Sequence, residues 1–373
     1  MLKPATADRR PPTADRRLLT TDRRPLSADR LPPFLAACYR QPTPYTPVWF
    51  MRQAGRYMPE YRALRERYGL LELMREPDLA AQVTLLPLRL GVDALILFAD
   101  ILLPLEALGL RLRFEKGRGP VLEPRLTPDR VETLPLVDVH EALGFVFETV
   151  RRVRLEAPQT PLIGFAGAPF TVASYAIEGG SSRHYIETKG WMYHHPQAWD
   201  ALMKRLVRVT LDYLKAQIDA GAQAVQIFDS WAGALSPGDY ARYVKPHVQA
   251  LLRGLQATGV PRIYFSTGTA GLLPLFQDLD AEVIGVDWRV PLGAAWEAVG
   301  RHHAIQGNLD PVALLAPREV LARQADAVLA EARGQAGHIF NLGHGVLPET
   351  DPDQVAFVAE YVHERSSPLS ADG

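Results

Sequence analysis

The densest concentration of chemically able side chains lies in residues 47–62, Pro-Val-Trp-Phe-Met-Arg-Gln-Ala-Gly-Arg-Tyr-Met-Pro-Glu-Tyr-Arg. Arg52 and Arg56 stand four apart, with the small residues Ala54 and Gly55 between them. In a helical turn both guanidinium groups would share one face. In a loop, the glycine would let backbone N–H groups approach an anion closely. Both arrangements suit a polycarboxylate or a phosphate, whose oxygens a guanidinium fork binds in pairs. A solvated basic turn is the plain alternative. Asp100 closes the apolar run Ala94-Leu-Ile-Leu-Phe-Ala-Asp100, and a second apolar run, Ile101–Leu105, follows it. A carboxylate there is costly to desolvate unless something compensates. It is either a structural ion pair or helix cap, or an acceptor waiting for N–H donors.

Three more positions stand out. Tyr175 lies in the segment Gly164–Gly180, in which Gly-Ala-Pro-Phe-Thr reads as strand end, turn and helix start, about a turn or more before Tyr175. Ser230 follows Gln226-Ile-Phe-Asp229 at a strand end, where a plain helix cap is the competing role. His344 sits between Gly343 and Gly345, free of side-chain neighbours in sequence. Tyr175 could equally be core packing. The pairs His194–His195 and His302–His303 lack metal-ligand spacing and read as ordinary, and Gly179–Ser182 reads as a flexible turn. No G-x-S-x-G nucleophile elbow occurs.

These residues need a scaffold. Eight short apolar or β-branched runs alternate with longer helical stretches: residues 47–50, 94–100, 162–167, 224–230, 262–267, 282–288, 304–309 and 338–342. Several are nearly continuous apolar runs, as parallel strands covered on both faces require. Met203, Val207, Leu211, Leu214 and Ile218 mark one helical stripe ended by Gly221; Leu321, Ala325, Val328 and Ala332 mark another, ended by Gly334. Eight alternations predict an α/β fold, a single (β/α)8 TIM barrel, with the chemistry where strands end and βα loops begin. Arg52, Asp100, Tyr175, Ser230, Ser266, Asp287, Asn308 and His344 fall at or just past those ends. An open doubly wound sheet would want G-x-G-x-x-G after its first strand, and neither that motif nor a P-loop occurs.

The chain has 373 residues, 47% apolar and 22% charged, an ordinary globular balance. Lys and Arg number 41 against 42 Asp and Glu, so nothing calls for a nucleic-acid partner. The single cysteine, Cys38, excludes an intrachain disulfide and a cysteine-built zinc site, and fits a reducing, cytoplasmic setting. No apolar run is long enough to span a membrane. Residues 1–33 differ from the rest: Thr6-Ala-Asp-Arg-Arg10 recurs with a period of seven, and Lys3 plus seven arginines face four aspartates. Such a segment buries too little surface to offset its ordering entropy and is expected to be a disordered low-complexity extension. Pro368–Asp372 repeats Pro25–Asp29 letter for letter, so residues 366–373 are expected to be a disordered tail, leaving 34–365 as the barrel.

Met51–Arg56 and Gly164–Gly180 closely resemble the two signature segments of the uroporphyrinogen decarboxylase family. The likeness continues through Phe98-Ala-Asp-Ile-Leu102, Phe228-Asp-Ser-Trp-Ala-Gly233 and Asn341-Leu-Gly-His-Gly-Val346, in the family's order. The resemblance implies a (β/α)8 barrel acting as a homodimer, with no metal, coenzyme or other cofactor, no nucleic acid and no membrane. It implies a carboxy-lyase that turns the four acetate arms of uroporphyrinogen III into methyls, giving coproporphyrinogen III and four CO2 on the route to haem and chlorophyll. Asp100 matches the family's aspartate that accepts the pyrrole N–H groups and stabilises a cationic intermediate. Arg52 and Arg56 match its carboxylate-binding arginines, Arg52 being also a candidate proton donor. Gln53, Ala54 and Gly55 complete that loop's contacts, and Tyr175, Ser230 and His344 match other substrate-contacting positions. Two rival functions are corrinoid-dependent methyltransferases of the same superfamily, which need thiolate-bound zinc, and a non-catalytic tetrapyrrole carrier, which would keep the arginines without needing Asp100.

Overall fold

Apolar strands covered on both faces must lie in a sheet that helices wrap. The computed structural model describes residues 31–367 apart from Lys116, Arg118 and Leu136. Its strands are β1 (Leu95–Ile96), β2 (Arg111–Glu115), β3 (Gly119–Glu123), β4 (Leu162–Gly167), β5 (Ala224–Asp229), β6 (Arg262–Ser266), β7 (Val283–Gly285), β8 (Ala304–Leu309) and β9 (His338–Leu342). Seven of them form one parallel sheet in the order β1-β4-β5-β6-β7-β8-β9, and β2 and β3 form a separate antiparallel hairpin. The sheet curls until both edges meet one segment, residues 47–50. On the β9 side, the Phe340 N–H donates to the Pro47 carbonyl at 2.9 Å and the Trp49 N–H to the Phe340 carbonyl at 3.3 Å. On the other side, the Asp93 N–H donates to the Val48 carbonyl at 2.8 Å.

The expected strands at 162–167, 304–309 and 338–342 match to the residue. Four others end early. The run 94–100 pairs only at Leu95–Ile96, because the Phe98 N–H turns away to the Thr84 hydroxyl at 3.0 Å. The run 282–288 pairs at Val283–Gly285, and those at 224–230 and 262–267 each lose their last residue to the following turn. Residues 47–50 make a single bridge, at Val48, rather than a ladder. The hairpin β2–β3 was not expected.

The long helix Pro196–Ala220 does end at Gly221, which takes φ 124. Its buried face, however, runs through Leu202, Leu206, Val209 and Tyr213, and the expected stripe members Val207, Leu211 and Ile218 lie half-buried along its edge. The helix Arg318–Ala332 is closed first by Arg333, at φ 54, with Gly334 continuing the left-handed turn. The final helix, Pro352–Ser366, includes Ser366, so order reaches past the expected boundary at 365; its hydroxyl accepts the Thr46 N–H at 2.8 Å. Expectations for residues 1–30 and 368–373 lie outside the described residues. Among those described, no helix is long and apolar enough to cross a membrane.

The space the sheet encloses is bridged by polar side chains. Trp49 Nε1 donates to Gln306 Oε1 at 3.0 Å, and Gln306 Nε2 donates to Gln226 Oε1 at 3.0 Å. Gln226 and Gln306 belong to strands separated by two others, so this chain crosses the interior. Toward the carboxyl ends of the strands, Phe165, Phe228 and Phe265 meet edge to face at 5.5 and 5.8 Å and give the site an apolar floor.

Closure at residues 47–50 leans on one side chain. Asp93 accepts the Val48 N–H at 2.7 Å, the Tyr45 hydroxyl at 3.0 Å, and sits 2.7 Å from His363 Nε2 of the last helix. Asp93→Ala should lower the unfolding free energy by about 2–4 kcal/mol, because it leaves these groups without their charged acceptor. Urea unfolding checks this; an unchanged midpoint would show that closure does not depend on Asp93.

Candidate functional site

Loops at the carboxyl ends of the strands converge on one mouth. The loop after residues 47–50 is held from three directions. The Met51 N–H donates to Asn341 Oδ1 at 3.1 Å, the Val346 N–H donates to the Met51 carbonyl at 2.9 Å, and Gln53 ties the loop inward. Gln53 Oε1 accepts the Phe50 N–H at 3.0 Å and Nε2 donates to the Ala94 carbonyl at 3.1 Å. Gln53 is fully buried, and its side-chain amide bonds inside the protein and shapes the loop. These ties hold Arg52 at φ 59, a left-handed backbone that costs an arginine on the order of 1 kcal/mol. A Cβ at Gly345 would stand 2.6 Å from Arg52 Cγ, so the missing side chain is the slot in which the arginine's stem lies. The turn is a loop, not a helix. Among the described residues the N–H groups of Ala54 and Gly55 donate to no other residue, and neither Arg52 nor Arg56 forms an ion pair.

Asp100 lies in the turn beyond β1 rather than at a strand end. Its Oδ1 accepts the Leu102 N–H at 2.9 Å in a turn that precedes the short helix Leu103–Leu108. The N-cap is Leu102, without a side-chain cap bond, so the cap reading of Asp100 does not hold; its other oxygen accepts nothing among the described residues. Burial pushes its carboxyl up to about 6, softened by the Leu102 N–H and the Arg52 charge and reinforced by Glu106.

Tyr175 is the seventh residue of the helix Pro169–Glu178, and its ring stacks on Trp231 with centroids 3.8 Å apart. Burial, and then the charge of Asp100, push its hydroxyl well above the ordinary phenol range, so it stays protonated as a donor. Ser230 and Trp231 form a turn pinned by two threonines. The Thr267 hydroxyl donates to the Ser230 carbonyl at 2.7 Å, and Thr171 Oγ1 accepts the Trp231 N–H at 3.2 Å. Thr171 donates in turn to Asp229 Oδ1 at 2.7 Å, while the Tyr264 hydroxyl donates to Asp229 Oδ2 at 2.7 Å. Asp229 is fully buried, and desolvation lifts its carboxyl to about 6 despite those two bonds. His344 is half-buried, with Trp288 edge-on at 6.5 Å. Burial, Arg52 and Arg289 hold its imidazole below the ordinary range, against Asp287, so it is neutral at pH 7.

Arg52 acts electrostatically on Asp100, Tyr175 and His344, so these four residues share one space. Ser230 adjoins them through Trp231. Arg56 is exposed on the rim, and its charge is felt at Tyr61 rather than at Asp100. Sequence reasoning missed Trp231, Thr171, Asp229, Phe228 and Gly345. Phe228 and Asp229 stood in the strand next to Ser230, but nothing local marks a partner such as Thr171, 58 residues away.

The Asp100 shift has a stability consequence with a definite sign. The folded-state value, about 6, lies above the ordinary 3.8. The stabilisation from its protonated form is therefore complete below 3.8 and lost as pH rises through about 6. Asp100→Asn should match wild type in thermal midpoint near the acid end and exceed it increasingly up to neutral pH. A wild type that gains on the variant as pH rises would contradict the burial account.

Comparisons with known proteins bear on this site. The uroporphyrinogen decarboxylase (URO-D) family model matches residues 30–365. A uroporphyrinogen decarboxylase from Sorangium cellulosum (strain So ce56) is 58% identical over 332 residues, covering 88% of this chain and 95% of that one. Another, from Chloroflexus aurantiacus (strain ATCC 29366 / DSM 635 / J-10-fl), is 54% identical over 344 residues, 91% of this chain and 97% of that one. Among solved structures, a methyltransferase from Methanosarcina mazei superposes with a TM-score of 0.74 at 20% identity, covering 89% of this chain and 97% of that one. That last likeness speaks to the fold alone. Matched over nearly its whole described length and identical to these two relatives at more than half of the aligned positions, the chain belongs to the uroporphyrinogen decarboxylase family.

Proposed function

We propose that the mouth of the sheet binds uroporphyrinogen III with its pyrrole N–H groups on Asp100 and its carboxylates toward Arg52 and Arg56. The protein is a carboxy-lyase of porphyrin biosynthesis. The observation that carries the assignment of roles is the Asp100 carboxylate, half-buried, with one oxygen unspent among the described residues and the charge of Arg52 acting on it. The electron-rich pyrrole acts as its own electron sink. A proton adds to a ring carbon and makes an iminium-like cation. The bond between the acetate methylene and its carboxyl breaks, CO2 leaves, and the bonding pair neutralises the ring. The exocyclic carbon then takes a proton to become methyl, and the ring loses the one it gained. A fixed negative charge at Asp100 favours the cationic stage over the ground state. Arg52 is the nearest cation and the candidate proton donor, Tyr175 supplies a protonated hydroxyl, and Ser230 and His344 supply uncharged polar contacts. Ala54 and Gly55 offer backbone N–H groups to a carboxylate arm.

We read residues 47–50 as the eighth stave of a closed (β/α)8 barrel; the hydrogen bonds to both sheet edges support this. Family membership supports a homodimer in the cytoplasm working without metal or coenzyme, and residues 34–365 as the part that carries the activity. A non-catalytic carrier would need no desolvated acid.

An anaerobic assay with uroporphyrinogen III, followed by chromatography of the oxidised products, tests the reaction. Release of CO2 with conversion to the tetracarboxylate is expected; tight binding without CO2 would favour the carrier. Asp100→Ala should keep the fold and lower kcat/KM roughly 100- to 1,000-fold, and near wild-type activity would contradict its role. Arg56→Ala should raise KM roughly tenfold. Added salt should raise the wild-type KM, and salt-independent affinity would count against the arginines.

A further inference from the structure

We propose that Arg289 is a further substrate-binding residue, holding one carboxylate arm of the macrocycle on the β7 side of the mouth beside His344. The inference rests on the reading of the substrate given above.

Arg289 is built into place. Asp287, only 5% exposed, accepts the Gly268 N–H at 2.5 Å, the Arg289 N–H at 3.0 Å and Arg289 Nη1 at 2.5 Å. The guanidinium also lies 4.1 Å over the Trp288 ring. A carboxylate on one edge and an indole on one face fix the fork, yet the side chain is 52% exposed. Asp287 engages Nη1 alone, which leaves the rest of the exposed guanidinium fork turned to the mouth's solvent side.

The neighbourhood joins Arg289 to the site. Gly343 has no side chain, and a Cβ there would strike the Trp288 N–H nitrogen and the Asp287 carbonyl carbon, so the His344 loop packs directly on this turn. Trp288 meets the imidazole edge-on. His344 feels two cations, Arg52 and Arg289, and stays neutral between them, which leaves it a hydrogen-bonding group rather than a third positive charge. β7 and residues 47–50 are separated by β8 and β9 around the sheet. A macrocycle with eight carboxylates around its perimeter cannot direct them all at one loop, and Arg289 supplies a planar donor pair at a second point of the rim.

The test uses the full-length enzyme with uroporphyrinogen III under anaerobic conditions. Arg289→Gln should raise KM roughly tenfold, with kcat falling less than KM rises, and should flatten the salt dependence of KM. Arg289→Lys keeps an ion pair with Asp287 but loses the fork, and its KM should stay severalfold above wild type. Inhibition by coproporphyrinogen III, which lacks acetate arms, identifies the arm. A weakened inhibition constant in Arg289→Gln assigns a propionate, and an unchanged one alongside the raised KM assigns an acetate. Wild-type KM and salt dependence in either folded variant, with an unaltered thermal midpoint, would overturn the inference. Absence of CO2 release by the wild type would overturn the reading of the reaction instead.

Discussion

A half-buried carboxylate with one oxygen unspent among the described residues is the constraint around which this protein is arranged. Desolvating an ion costs several kcal/mol unless something compensates. Asp100 receives partial compensation: one N–H from Leu102 and the field of Arg52. Arg52 is bound by the same logic. It occupies an unfavourable backbone conformation because Met51 is tied to Asn341 and Val346, and its stem needs the space that Gly345 leaves. The charge pair that defines the site is thus imposed by loops from opposite ends of the chain.

Behind that pair stands a second buried acid. Asp229 takes hydroxyl hydrogens from Thr171 and Tyr264, and Thr171 passes the constraint to the Trp231 backbone. Trp231 in turn supports the Tyr175 ring. The wall of the site is therefore a chain of directional bonds rather than apolar packing alone, which fixes side-chain orientation more sharply than dispersion contacts do. The apolar floor of Phe165, Phe228 and Phe265 beneath it suits a flat, weakly polar ring, while the cations stand at the rim.

The strands that can be read to the residue, 162–167, 304–309 and 338–342, are buried along their whole length. Residues 47–50 looked the same but make one bridge, because the Asp93 side chain takes the place of a neighbouring strand. The run 94–100 was cut short by a threonine hydroxyl on the preceding helix, a contact no local pattern announces. The hairpin β2–β3 did carry a signal: Leu112 is buried between exposed Arg111 and Arg113, and the run Arg111–Glu115 is short enough to pass for loop. At the site, spacing alone left Arg52 and Arg56 open between helix and loop and Asp100 open between cap and acceptor. One Asp100 oxygen closes a local turn on Leu102, and the other accepts nothing among the described residues. The architectural bonds of the Gln53 amide, to Phe50 and Ala94, have no local signal, because its place in a motif does not show that it is buried.

The position of Asp93 has a consequence for biosynthesis. Its carboxylate joins Val48 to His363, which lies 270 residues beyond Asp93, and Pro47 receives its backbone partner from Phe340. In synthesis from the N-terminus, residues 47–50 are without these partners until Phe340 and His363 have been added. Contacts of such sequence separation form slowly, and a nascent chain in that condition is prone to off-pathway association. The helix Pro352–Ser366 is thus the latch on which the setting of residues 47–50 waits.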